Sequence, residues 1–181
     1  MKTVNIVFVL MAMILSPINS YGVPTPNRFM EEQGTNWEYL DGIDPETQDH
    51  FKDACLNSER TAGARIQMCY STQENGVTRI FFYSQHDSLT FPTASGRGFS
   101  VPLSVDNQVS VRMNFFTTPN HYGIYPDVNN GNSRQLVSFL NAGYNTLTVT
   151  LPSTQRGNMT FVFNGLNLLN RNRLFPVTQT H

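Results

Sequence analysis

Short segments in which apolar and polar residues alternate place the strongest constraint on how this chain can fold. In residues 99–105 apolar side chains occupy every second position, and a similar alternation runs through residues 146–151 and 159–164. Successive side chains of a strand point to opposite faces of a sheet, so a period of two predicts strands with one buried face. Twelve glycines and ten prolines interrupt the chain too often for long helices.

Tight turns join several of these strands into hairpins. Asn75-Gly76 separates the β-rich residues 66–72 from residues 78–84. Both residues of an Asn-Gly pair accept the positive φ of a type I′ turn, so we predict a hairpin here. Arg156-Gly157 predicts the turn of a closing hairpin.

One helix is predicted among the strands. Residues 134–141 place four apolar side chains on one helical face, with Ser133 as the predicted N-cap and Gly143 as the predicted C′ residue. Residues 109–117 predict a further strand and residues 123–126 a short edge strand. About seven short strands and one short helix are typical of an antiparallel β-sandwich or barrel, so the predicted fold class is mainly β.

The first 22 residues predict a signal peptide that is cleaved on export. Lys2 precedes an uninterrupted apolar run over residues 6–15, and a site of small residues ends at Gly22. That run is about half of the roughly 20 residues that span a bilayer, which disfavours an uncleaved anchor. We therefore expect cleavage between Gly22 and Val23 and a soluble periplasmic or secreted product without a membrane span.

Charge divides the remaining chain into two parts. Residues 23–76 contain ten acidic and four basic residues, whereas residues 77–181 contain three acidic residues and seven arginines. We predict an acidic extended leader over residues 23–50 and a β-rich domain over residues 51–181. The leader is either an arm that lies on the basic body or a solvated segment, and the second interpretation is the simpler one.

The two cysteines agree with export. Cys55 and Cys69 are the only cysteines, and in an exported chain a disulfide between them is expected. A thioredoxin-like redox motif needs Cys-x-x-Cys and a structural zinc needs four ligands, and the sequence has neither.

Patterns for nucleic-acid binding and catalysis are absent from the sequence. The formal net charge is −1, and the arginines form no basic run. His86-Asp87-Ser88 contains the residue types of a catalytic triad, but neighbours on a strand face opposite ways and cannot form a relay. We predict no catalytic residues. The alternative is a small secreted hydrolase that uses His86, Asp87 and His121.

Two segments offer oxygen ligands without the frame of a calcium loop. Carboxylates cluster in the first at Asp41, Asp44, Glu46 and Asp49. The second begins at Asp127, but Ser138 stands where such a loop needs a bidentate glutamate. The sequence therefore predicts no metal site and no cofactor.

The loop over residues 117–125 is the most suggestive candidate for recognition. It contains His121, Tyr122 and Tyr125 between two prolines. Tyrosine supplies a large contact area at a low cost in side-chain entropy, so these three residues are the predicted binding residues. The alternative is that their rings cover the end of the core.

Five segments between residues 51 and 169 follow one another in a recognisable order. They are Phe51-Lys52-Asp53-Ala54-Cys55, Gln67-Met68-Cys69, Phe99-Ser100-Val101-Pro102-Leu103-Ser104-Val105-Asp106, Leu136-Val137-Ser138-Phe139-Leu140-Asn141-Ala142-Gly143 and Phe161-Val162-Phe163-Asn164-Gly165-Leu166. In this order they resemble the invasion-associated locus B family of small exported bacterial proteins. The resemblance implies a β-rich envelope or host-directed protein and supplies no catalytic residues.

The sequence thus predicts an exported, soluble binding protein that does not act by catalysis. Its expected partner is another protein or an envelope polymer. A loop-presenting inhibitor is a further alternative.

Overall fold

The computed structural model describes most of the chain after residue 29. The described residues are 30–31, 35–44, 47–84, 89–93, 98–127 and 131–175. The predicted signal peptide with its cleavage site at Gly22 and Val23, the triplet His86-Asp87-Ser88, and Glu46 lie outside them.

The described residues form ten strands and one α-helix. The strands are β1 Met30–Glu31, β2 Trp37–Ile43, β3 His50–Asn57, β4 Ile66–Gln73, β5 Thr78–Ser84, β6 Phe99–Val105, β7 Val109–Thr117, β8 Gly123–Pro126, β9 Thr146–Ser153 and β10 Gly157–Asn164. The helix is α1 Asn132–Asn141, and the 3₁₀ turns Leu166–Leu168 and Arg171–Arg173 follow β10. The predicted mainly β class with one short helix is confirmed.

All ten strands belong to one antiparallel sheet with the order β1-β2-β3-β4-β5-β8-β7-β6-β9-β10. The prediction of β8 as an edge strand is wrong. Ile124 pairs with Phe82 on β5 and with Thr117 on β7, so β8 bridges two hairpins within the sheet. Sequence order alone does not reveal this position, because β8 pairs with β5 across an intervening hairpin.

The sheet curves until its two ends meet, as in a sandwich or barrel. The ring of Phe82 on β5 lies 5.7 Å from the ring of Phe163 on β10, although four strands separate β5 from β10 in the sheet order. The loop after β3 lies against the outer edge of β10, where the Glu59 N–H donates to the Val162 carbonyl over 2.8 Å. Thr61 Oγ1 donates to the Thr160 carbonyl over 2.7 Å. These bonds cover an edge that would otherwise expose unpaired backbone groups.

The predicted boundary at residue 50 falls inside this sheet. Trp37 on β2 is 0 % exposed, and its Nε1–H donates to the Gly165 carbonyl over 2.8 Å. β2 pairs with β3 from Trp37 to Ile43. Burial of Trp37, Tyr39 and Leu40 makes this part of the predicted acidic leader a strand of the domain.

Local conformations differ from two predicted details. Gly131, with a φ of 77°, is the N-cap of α1 in place of the predicted Ser133. The turn between β4 and β5 is a three-residue loop and not the predicted two-residue type I′ turn. The Gly76 N–H donates to the Gln73 carbonyl, and of Asn75 and Gly76 only Gly76 has a positive φ. The predicted C′ residue is confirmed, because Gly143 follows the C-cap Ala142 and has a φ of 78°.

The helix α1 completes the core. Leu136, Phe139 and Leu140 are buried and pack with the side chains of the inner face of the sheet. Among the described residues, no helix combines the length and apolar character that a membrane crossing needs.

Candidate functional site

The predicted binding loop between β7 and β8 has a well-defined backbone. Thr118 is its hub, since its Oγ1 donates to the Gly123 carbonyl and accepts from the Gly123 N–H, each over 3.0 Å. Asn120 Oδ1 accepts from the Tyr122 N–H over 3.2 Å. Such bonds between side chain and backbone fix the turn without neighbouring elements.

His121 joins this loop to the segment before β6. Its φ is 63°, and its carbonyl accepts from the Phe91 N–H over 2.8 Å. The Tyr122 carbonyl accepts from the Ser84 N–H over 2.7 Å in the same way. The backbones of His121 and Tyr122 thus anchor the loop, and the rings of both residues are partly exposed. His86 and Asp87, the other residues of the hydrolase alternative, lie outside the described residues.

Tyr125 is separated from these two residues because it projects from a strand. Its inward-facing neighbour Ile124 is fully buried, so the Tyr125 ring lies on the outer face and is 40 % exposed. The ring of Phe116, which is paired with Tyr125, lies 5.8 Å away. Tyr83 pairs with Gly123, and continuing that register by two residues brings Phe81 opposite Tyr125.

We call this surface the aromatic face and define it by Phe81, Tyr83, Phe116 and Tyr125. Arginines border it on the same side of the sheet, since Arg79 precedes Phe81 by two residues on β5 and Arg112 precedes Phe116 by four on β7. Both arginines are exposed. The rings and guanidinium groups therefore share one outer surface.

The predicted disulfide lies in the next strands of that outer face. Cys55 on β3 and Cys69 on β4 are paired across the sheet and joined by an S–S bond. Cys69 pairs with Phe81 on its other side, so the disulfide adjoins the aromatic face. Both cysteines are buried.

Asp53 is a buried acid on the same side of the sheet. It pairs with Ser71, is 4 % exposed, and its Oδ1 has no hydrogen-bond partner. Burial raises the pKa of Asp53 to about 6, while the hydrogen bond from Ser71 and the charge of Arg79 oppose that rise.

A concave surface, separate from the aromatic face, lies where the two ends of the sheet meet. We call it the seam groove; its volume is about 410 Å³. Its charged and amide side chains are Asn36, Glu38, Asn57, Glu59, Arg65 and Asn164. These residues come from the start of β2, the end of β3 with its following loop, and the end of β10.

Amide groups orient both carboxylates of the seam groove. Glu38 Oε1 accepts from Asn57 Nδ2 over 2.8 Å, and Glu38 Oε2 accepts from Gln67 Nε2 over 3.1 Å. Asn164 Nδ2 donates to Glu59 Oε1 over 2.7 Å. No sequence pattern predicts this groove, because its residues come from three distant segments and form no local motif.

No metal site is found in the part of the chain that the structure describes. There, no three histidine, cysteine or acidic side chains are grouped closely enough to hold an ion. Asp41 instead forms an ion pair with Lys52, with 4.0 Å between Oδ2 and Nζ. Asp44 Oδ1 accepts from the Thr47 N–H over 3.2 Å, which makes it a turn residue.

Comparisons of this chain with protein-family models, with curated proteins and with solved structures found no match.

Proposed function

We propose that this chain is an exported binding protein without catalytic activity, and that it binds another protein through the aromatic face. The observation that carries this proposal is the pair of rings at Tyr125 and Phe116, 5.8 Å apart, with Tyr125 40 % exposed on a paired strand. Rings held on strands lose little conformational freedom when a partner covers them.

The residue types of the face support a protein partner. Tyrosine, phenylalanine and arginine are enriched at protein interfaces, and tyrosine and arginine are frequent among the residues that dominate binding energy. The aromatic face combines four rings with Arg79 and Arg112 at its border. The complementary surface would have an apolar centre and carboxylates near its rim.

The predicted signal peptide and the disulfide support export. Disulfides persist in oxidising compartments, and Cys55–Cys69 is buried within the sheet. The resemblance to the invasion-associated locus B family is consistent with a role in the envelope or at a host surface. In this proposal His121 and Tyr122 serve to fix the loop, and Tyr125 provides the contact.

A capture experiment tests the proposal. Residues 23–181, in wild-type form and with Tyr125→Ala or Ile43→Ala, are immobilised and exposed to envelope and host-surface protein fractions. Ile43 is a matched control because it is 52 % exposed and lies on the opposite face of the sheet from Tyr125. We expect one protein that both the wild type and Ile43→Ala retain and that Tyr125→Ala retains at least about tenfold more weakly. Equal retention by all three chains, or no retained protein, would overturn the proposal.

A further inference from the structure

A shallow basin opens on the outer face of the sheet where β6 and β9 diverge. We call it the hydroxyl basin; its volume is about 310 Å³. Its outer-facing lining residues are one proline, one arginine and four hydroxyl residues: Pro102, Ser104, Ser110, Arg112, Thr148 and Thr150. This volume lies at the lower end of the range of ligand sites, so the basin suits a single side chain.

Pro102 explains why β6 and β9 separate at this place. β6 pairs with β7 along its whole length from Phe99 to Val105, but it pairs with β9 only from Leu103 to Val105. Proline has no N–H to donate to a neighbouring strand, and the pairing with β9 ends at the residue next to Pro102. β9 continues to Ser153 and is paired there with β10. The basin therefore follows from the course of the backbone.

Arg112 is the only charged group among the described residues that line the basin. Its Nε donates to Ser100 Oγ over 3.4 Å, and it forms no ion pair with a described residue. Its two terminal guanidinium nitrogens have no hydrogen-bond partner in the described part of the chain. The same is true there of the hydroxyl groups of Ser104, Ser110 and Thr148. A cation and several unused donors therefore face one depression, and such a set of groups binds an anion.

The strands around the basin carry no acid that competes for Arg112. The strands β5 to β10 contain no aspartate or glutamate, and Arg79 and Arg112 are their only charged residues. Asp106 lies in the turn between β6 and β7, but its carboxylate accepts from the Thr146 N–H over 2.7 Å and from the Asn145 N–H over 3.1 Å. This half of the sheet therefore attracts an anionic group.

The basin is continuous with the aromatic face. Arg112 borders that face, and Phe116 follows it by four residues on the same side of β7 and pairs with Tyr125. A protein that covers the two rings thus extends over Arg112. Proteins carry their negative charge on carboxylates, and a guanidinium group pairs with a carboxylate through two parallel hydrogen bonds.

We propose that the protein bound at the aromatic face places an aspartate or glutamate side chain in the hydroxyl basin. Its carboxylate pairs with Arg112 and accepts from the neighbouring hydroxyl groups. This inference rests on the proposed function, because it names the chemistry of the same partner.

A hexaglutamate peptide tests the basin without the partner. Fluorescence polarisation measures the affinity of residues 23–181 for labelled, end-capped hexaglutamate and for the matching hexaglutamine. Arg112→Gln removes the cation, and Arg134→Gln is the matched control because Arg134 is an exposed arginine on α1. We expect the wild type and Arg134→Gln to bind hexaglutamate at least about fivefold more tightly than hexaglutamine, and Arg112→Gln to bind both equally. Equal affinity of the wild type for the two peptides, or a preference that survives Arg112→Gln, overturns the inference.

Carbodiimide coupling tests whether the partner supplies the carboxylate. This reagent joins a carboxylate to a lysine amine in contact with it, and Lys52 is the only lysine in residues 23–181. The protein that the wild type retains in the capture experiment is coupled to Arg112→Lys or to Arg134→Lys, and mass spectrometry locates the linked residues. We expect a link from position 112 to an aspartate or glutamate of that protein and none from position 134. Retention without a link from position 112 overturns this inference and leaves the aromatic face in place. Retention that Tyr125→Ala does not weaken overturns the proposed function instead.

Discussion

The aromatic face and the seam groove use the same sheet in opposite ways. The face is made of side chains that neighbouring strands project together, so its geometry follows from the regular pairing of β5, β8 and β7. The groove exists because β2 and β10 approach each other without pairing as neighbours, leaving a space that loop residues line. Regular pairing thus yields a rigid, partly apolar surface, and interrupted pairing yields a polar cavity.

Removal of the Trp37 side chain, which lies beside the groove, should cause the largest loss of stability. Trp37 is 0 % exposed and joins β2 to Gly165 through its Nε1–H. We expect Trp37→Ala to lower the free energy of unfolding by about 3–5 kcal/mol, measured by urea denaturation. Trp37→Phe keeps most of the apolar contact and should lose less than half as much. A loss below about 1 kcal/mol for the alanine variant would show that the two sheet ends do not depend on this residue.

Removal of the disulfide should loosen both regions. Cys55 pairs with Glu38 on the groove side, and Cys69 pairs with Phe81 of the aromatic face. The two cysteines are 14 residues apart, and a loop of about this length corresponds to about 3 kcal/mol in the loop-entropy model. We expect the double variant Cys55→Ala/Cys69→Ala to lose about that much, and chemical reduction of the wild type to have a similar effect. Equal stability of the oxidised and reduced chains would contradict this account.

The aromatic face was partly predictable from the sequence, whereas the groove was not. Alternation in residues 99–105 and 159–164 identified β6 and β10, because one buried face imposes a period of two. The sequence predicts Tyr125 as a binding residue because it is an aromatic residue beside a turn. Its neighbours Phe81 and Tyr83 required knowledge that β8 pairs with β5, which is a long-range contact.

Neither the groove nor the strand β2 is predictable from local sequence, because both form only through contacts between distant segments. Trp37 to Ile43 carries acids and a glycine, and its strand conformation comes from pairing with β3 and from burial of Trp37. Glu59 and Asn164 lie 105 positions apart in sequence yet form a hydrogen bond. Neither relation has a local sequence signal.

Asp53 provides a pH test of the outer face that carries the aromatic residues. Burial raises its pKa to about 6, so between about pH 4 and pH 6 the folded chain holds a proton that the unfolded chain has released. The stability from this group is fully present below about pH 4 and is lost as the pH rises through 6. We expect Asp53→Asn to exceed the wild type by on the order of 2 kcal/mol at pH 7 and to equal it near pH 4.

Urea midpoints of both proteins at the two pH values measure this difference. The other carboxylates are common to both chains, so their contributions cancel in the comparison. If Asp53→Asn is less stable than the wild type by the same amount at both pH values, Asp53 makes specific contacts and its burial does not hinder ionisation.

Gly98 tests how closely β6 supports the aromatic face. Its φ is 69°, and a Cβ at this position would lie 2.5 Å from the Phe115 carbonyl oxygen, next to Phe116. We expect Gly98→Ala to lower the free energy of unfolding by about 2 kcal/mol, through strain and a backbone clash. Gly143 has a φ of 78° and open space around its Cβ position, so Gly143→Ala should lose about 1 kcal/mol from strain alone. Equal losses in thermal or urea unfolding would show that the clash is relieved without consequence.

The smallest expected effect on stability belongs to Tyr125, and it accompanies the largest expected effect on binding. Tyr125→Ala removes the ring contact with Phe116 at a position that is 40 % exposed, so it should lower the free energy of unfolding by at most about 1 kcal/mol. The central claim is tested most directly by the dissociation constant of Tyr125→Ala for the captured partner. Titration calorimetry measures this constant for Tyr125→Ala, for the wild type, and for the variants Tyr125→Phe and Ile43→Ala. We predict an increase of about tenfold or more for Tyr125→Ala and changes within about threefold for the other two variants. A dissociation constant for Tyr125→Ala equal to that of Ile43→Ala would contradict the assignment of the aromatic face as the binding surface.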